Sequence, residues 1–407
     1  MPRVLAYHAS RDVVPLYSVY ALLFSDHGIG GAQVSQLFVI WSVTSFVFEV
    51  PSGAWADTFD RRRLLVASAV VYAAGFATWL VWQTFTGFAV GFVLWGLSSA
   101  LMSGTFESLL YDELVERGAK DGYPTLVGWA QSTAMLGNLA ATGLAAVLFH
   151  VGGYPLVGWT SVALCGVQAA LAATLPVSLR ARRPSHGSPL AETERRTSRY
   201  VAMLRAGLAE SRHHPRVRRV LLLAATMVGL TAYDEYFPLV ARDHGVGTGT
   251  VPLLLAVTVV GQAVGTALAG RSARLTSRSV AAIVAGGGAL VTVGALVTPY
   301  AGFVAIAVGY GMLNNAMLVG ETRLQSAITG PARATVTSVL GLLEEVMALA
   351  VYGAFALGSR ALDFPALVAL LGVPVLLVAG AVARWLPSAP RPGENGREDS
   401  SRQGRSP

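Results

Sequence analysis

The chain has 407 residues, 53% of them hydrophobic and 13% charged, whereas a soluble globular domain carries about 25% charged residues. That balance excludes a string of ordinary soluble domains. The net charge of +7 does not indicate nucleic-acid binding, because the basic residues punctuate apolar runs and do not gather on one surface.

Each bilayer crossing needs roughly 20 apolar residues, and the hydropathy pattern places twelve such helices at about 4–26, 34–56, 64–83, 86–110, 124–149, 156–176, 217–240, 250–270, 279–298, 301–321, 333–357 and 364–386. The first is the least regular. Its clean apolar run from Val13 to Phe24 is too short to span, and extending it back to Val4 carries Arg11 and Asp12 into the membrane. No small-residue cleavage site follows it, so a membrane helix is expected and not a cleaved signal peptide. Cys165, the single cysteine, lies in the sixth apolar run. It excludes a disulfide framework or redox pair and reads as a small buried packing residue.

Residues 177–216 form a basic, polar linker punctuated by Pro184, Gly187 and Pro189, dividing a first six-helix bundle (1–176) from a second (217–386). Within the linker, 200–211 suits an amphipathic helix lying on the anionic inner leaflet. Residues 387–407 are rich in Pro, Ser, Gly and charge and read as a disordered cytoplasmic tail. If the loops alternate from a cytoplasmic start, all but Arg242 and Arg360 of the 30 basic residues fall on the cytoplasmic side. This is the positive-inside pattern of a multi-pass cell-membrane protein with both termini in the cytoplasm.

Between the second and third helices stands Gly53-Ala54-Trp55-Ala56-Asp57-Thr58-Phe59-Asp60-Arg61-Arg62-Arg63-Leu64. Gly53 permits close helix approach, and Asp57 can face a neighbouring helix N-terminus. This string resembles the loop signature of the major facilitator superfamily, Gly-x-x-x-Asp-x-x-x-Arg-Arg/Lys. The flanking Phe48-Glu49-Val50-Pro51-Ser52 and the later 103–112 segment resemble a bacterial, efflux-like branch of it. The resemblance covers 4–386. It implies an all-α membrane fold of two pseudo-symmetric six-helix bundles and transport by alternating access. It also implies that Asp57 braces the cytoplasmic end of the eleventh helix and that Arg61 or Arg62 pairs with an acid near the fourth, for which Glu107 and Asp112 are available. Faint internal symmetry agrees, with Glu107 and Glu321 each ending a helix before a polar loop. Two family features are missing. Phe92 stands where many members carry an Arg four residues before Gly96, and the fifth helix has no Gly-Pro.

Ionisable groups in a bilayer are costly and are functional candidates by default. Asp234 and Glu235 precede Pro238, which frees a carbonyl and loosens the seventh helix. Successive helical residues point about 100° apart, so one of the two is expected to face the central cavity. The alternative is solvation at the outer headgroups. Glu344 and Glu345 lie near mid-bilayer in the eleventh helix, where reversible protonation and a structural ion pair are both open. Glu49 suits either the cavity or the cytoplasmic ion-pair network, and Glu107 and Glu321 suit the network. Asp12 either neutralises Arg11 or lines the cavity. Gln131, Asn138, Gln262, Asn314 and Asn315 suit hydrogen bonds between helices.

The function expected is movement of a small organic molecule by a monomeric secondary transporter, with export driven by inward protons. The sequence offers no nucleotide-binding loop, metal-ligand spacing or cofactor motif. Proton-coupled uptake is the alternative, and a membrane enzyme or receptor is a more distant one. No nucleophile elbow or His/Asp constellation supports an enzyme.

Overall fold

The computed structural model describes residues 2–175, 215–327 and 333–387, with isolated positions at 195, 198, 201, 202 and 205. The described residues hold ten helical stretches long and apolar enough to cross a membrane. One of them, Lys120–Ala173, is really two: the helix breaks at Gly152 and Gly153, where Gly153 has φ 58° and ψ −156°. Glycine tolerates that left-handed backbone, and Pro155 restarts a helix in which its missing N–H costs nothing. The first crossing is not counted among the ten because it is not one helix. Adding it and dividing the long stretch gives the expected twelve spans.

The continuous helix expected over 4–26 is corrected to three pieces: Pro2–Arg11, a 3-10 turn at Pro15–Ser18, and Tyr20–Asp26. The cause is Pro15, which disfavours helical geometry at the residue before it; Val14 is extended, with φ −127° and ψ 94°. Broken backbone at membrane depth needs polar partners, and the Leu16 N–H donates to Ser161 Oγ of the sixth span at 3.0 Å. The fourth span also breaks, at Ser103–Gly104, into Phe85–Met102 and Thr105–Glu116, with Gly104 at φ 70°. In the seventh, Pro215–Gly229 passes into a 3-10 stretch, Leu230–Tyr236, before Phe237–Asp243. The departure from α-helix lies just before Pro238, where the sequence implies one, but it is a tighter winding and not a loosening.

Large apolar side chains such as Val147, Leu268, Val308 and Leu377 are exposed on the outer faces of the helices, the surface that lipid covers. Cys165 is buried in the core. Of the linker's proposed amphipathic segment, Val201, Ala202 and Arg205 are helical and exposed; the rest of it, and the tail from 388, lie outside the described residues.

With no hydrophobic drive between helices in lipid, small residues let backbones meet. A Cβ on Gly261 would collide with the Ala307 carbonyl, and one on Gly265 with the Gly311 carbonyl. These contacts join the eighth span (Val251–Ser272) to the tenth (Pro299–Ala327). Backbone cannot yield as a flexible side chain does. Gly265→Ala is therefore expected to destabilise the protein by about 1–3 kcal/mol, read as a lower unfolding midpoint in detergent. An unchanged midpoint would show that the seam can open.

Candidate functional site

Because the spans alternate direction, one end of the molecule carries Arg61, Arg62, Arg63, Arg271, Arg274 and Arg278, and the other carries Asp26, Arg242 and Asp363. At the basic end Asp60 caps the third span: its Oδ1 accepts the Arg62 N–H at 2.8 Å and the Arg63 N–H at 3.4 Å. Arg61 reaches back to the Asp112 carboxylate and donates to the Ser108 carbonyl at 3.2 Å. Asp112 is thus the acid that pairs with the loop signature. Glu107 is not: it faces a cavity instead, which corrects its placement in the ion-pair network. Gly53 and Asp57 lie in the last turns of Gly31–Thr58; the Asp57 side chain is outside the described residues.

That cavity, about 900 Å³, lies in the basic half between the two bundles. It draws together four of the acidic candidates, Asp12, Glu49, Glu344 and Glu345, and adds Glu107 and Glu321, the two residues matched across the halves. Glu321, like Glu107, was expected in the ion-pair network and faces the cavity instead. Glu345 also accepts a hydrogen bond from Ser42 of the second span, across the bundle interface.

Asp234 and Glu235 do not reach this cavity. They lie nearer the opposite end and part as adjacent residues must. Asp234 accepts from Tyr310 of the tenth span and borders a smaller cavity of about 130 Å³ with Tyr17, Asn138 and Gln262. Glu235 accepts from Tyr20 of the first span. Both are held by buried tyrosines, so neither is a solvated headgroup residue. In the neutral polar set, Gln262 donates to Asn314 at 3.2 Å and Asn315 to the Gly265 carbonyl at 2.9 Å. Gln131, Asn138, Gln262 and Asn314 all line a crevice of about 530 Å³ among the fifth, eighth and tenth spans.

At the end opposite the basic one the bundles are sealed. Arg242 pairs with Asp26 at 2.7 Å and donates to the Leu22 carbonyl at 3.3 Å, and Tyr154 also donates to Asp26. Ser35 and Tyr236 hydroxyls meet at 2.7 Å, and Tyr236 stacks on Phe355 with centroids 4.0 Å apart. Gly31 lies so close to Phe364 and Ser359 that a Cβ would not fit without movement. Sequence reading missed these partners. Arg242, one of only two basic residues off the cytoplasmic side, was the available signal.

Two bundles of six, closed at one end and parted by an acidic cavity at the other, define a membrane transport fold. The chain belongs to the Major Facilitator Superfamily, whose family model matches residues 6–351. Solved structures with the same fold include the nucleoside transporter NupG (TM-score 0.71, 12% identity, covering 95% of this chain and 98% of that one). The POT family transporter PepTSo is similar at TM-score 0.67 and 13% identity, covering 100% and 99%. A bacterial homologue of the iron transporter ferroportin, in an inward-facing state, is similar at TM-score 0.66 and 16% identity, covering 94% and 96%. No curated protein matches the sequence. The chain is thus a multi-pass membrane transporter.

Proposed function

We propose that this transporter exports a small organic molecule across the cell membrane in exchange for inward protons, by alternating access, as a monomer. The bundles divide at the linker 177–216, and both termini lie in the cytoplasm. The observation that carries the reading is the asymmetry of the bundle interface: contacts through Asp26, Tyr20 and Ser35 close one end, and a cavity of about 900 Å³ splits the other. The positive-inside pattern makes the open end cytoplasmic, so the structure is inward-open under this reading. Acidic groups inside the membrane suit proton coupling, and no loop for ATP is present in the sequence.

The test needs no substrate. Cys165→Ala removes the single thiol, and spin labels placed at Gln83 and Ala361, both exposed near the sealed end, report its width. Two distance populations are expected in lipid. Arg242→Ala should enrich the wider one by about two- to fivefold, a modest shift because the ion pair is partly exposed. A single distance, unmoved by Arg242→Ala, would sink alternating access at this seal.

A further inference from the structure

On the lipid-facing side of the second bundle, the eighth and tenth spans leave a groove of about 450 Å³ between them. Its floor is the seam of small residues, where Gly265, Ala307 and Gly311 are buried with backbone close to backbone. Its rims are Val260, Val264 and Leu268 on one span and Val304 and Val308 on the other, all exposed. A floor without bulky side chains leaves the valley between the rims open.

The groove has a direction. From Val257 to Ser272 it follows the eighth span for fifteen residues, about 22 Å of helix. Ser272 ends it at the basic end of the molecule, and cationic side chains gather there. Arg271 precedes Ser272 and Arg274 follows it, while Arg278 lies in the first turn of the ninth span, which borders the groove through Ile283. All three arginines are exposed, and none is in an ion pair with a described residue. Backbone carbonyls at this corner would repel an anion, but they are occupied: Arg323 donates to that of Ala273 at 3.2 Å and to that of Leu275.

The section of the groove decides between occupants. Spread over its length, the volume gives about 20 Å² of cross-section, whereas a helix of 10–12 Å diameter needs roughly 80–110 Å². A membrane helix of a second copy is too thick to enter, and a single extended hydrocarbon chain is not. The hydrocarbon of one leaflet is about 15 Å deep, so a chain anchored at the basic end has groove to lie in over that whole depth. Arginines at the membrane surface supply the charge that attracts an anionic headgroup.

We propose that this groove binds an anionic phospholipid, with an acyl chain between the valine rims and the headgroup phosphate on Arg271 and Arg274. The site is separate from the cavity between the bundles and does not depend on the transport reading.

The test is native mass spectrometry of the full chain in detergent, titrated with phosphatidylglycerol or with phosphatidylcholine of the same acyl chains. The first phosphatidylglycerol is expected to bind at least tenfold more tightly than the first phosphatidylcholine. Arg271→Gln combined with Arg274→Gln should erase that preference. Arg218→Gln combined with Arg219→Gln, at exposed arginines of the seventh span near the same end, should preserve it. Val308→Trp fills the groove without changing charge and should weaken phosphatidylglycerol binding at least fivefold. If that variant aggregates, Val264→Phe on the opposite rim takes its place. The proposal is overturned if the two lipids bind alike, if both arginine pairs have equal effects, or if the filled groove binds like the parent. A dimer of the parent that Val308→Trp dissociates would overturn it too, by giving the groove to a second copy.

Discussion

Glu235→Gln is expected to abolish gradient-driven accumulation of substrate in proteoliposomes while sparing energy-independent exchange. Glutamine keeps the size of the acid and can still accept from Tyr20, the partner of Glu235 in the first span. What it loses is a proton to release. Because Tyr20 and Glu235 belong to different bundles, the proposed coupling would act directly on the contact between them. Tyr20→Phe provides the contrast: it removes the donor but leaves a titratable group, so accumulation should be reduced and not lost. The same pair of assays applies to Asp234→Asn, Glu344→Gln and Glu345→Gln, because we propose that one carboxylate of the seventh span and one of the eleventh carry the coupling. If all four variants concentrate substrate like the parent, coupling passes to Asp12 and Glu49, which line the cavity.

Asp57→Asn should leave the protein inserted and reduce transport at least tenfold at equal expression. A bias between two conformations needs only a few kcal/mol of differential interaction, and a charge that, as the resemblance implies, braces the eleventh span could supply that. The neighbouring Asp60 separates function from folding. Its carboxylate caps the third span, and Asp60→Ala should cost about 1 kcal/mol of stability with transport per folded molecule largely kept. Equal transport by Asp57→Asn and the parent would reduce the loop signature to a topological charge cluster.

Most of the fold was legible because lipid imposes simple rules on sequence. Apolar runs of membrane length and alternating arginines located the spans, and Pro15 alone disguised the first. The Arg61 partnership could be narrowed to two acids but not to one, since Glu107 and Asp112 are five residues apart and helix rotation decides which of them faces inward. Glu107 turned to the cavity. Phe92, where the family often has arginine, is buried in an aromatic cluster and stacks nearly parallel to Trp95, 5.7 Å between centroids. The position therefore serves packing here. The tyrosine partners of Asp234 and Glu235 were invisible for another reason: they come from the tenth and first spans, and no local pattern links residues 76 and 215 positions apart. Arg323 shows the same limit. Counted as a cytoplasmic charge, it is 2% exposed and donates to the carbonyls of Ala273, Leu275 and Pro387, tying together the ends of the eighth and twelfth spans, which no sequence rule joins.

The seven residues Leu230–Tyr236 are wound as a 3-10 helix, which rises about 2.0 Å per residue against about 1.5 Å in an α-helix and turns about 120° against about 100°. Rewinding this stretch as α-helix would shorten the seventh span by about 3.5 Å and untwist it by about 140°. Passing between the two windings would make the span advance and turn like a screw thread. Asp234 and Glu235 sit on its last turn, where the accumulated rotation is greatest, so a small change of winding would carry either carboxyl from one tyrosine to a different wall of the molecule.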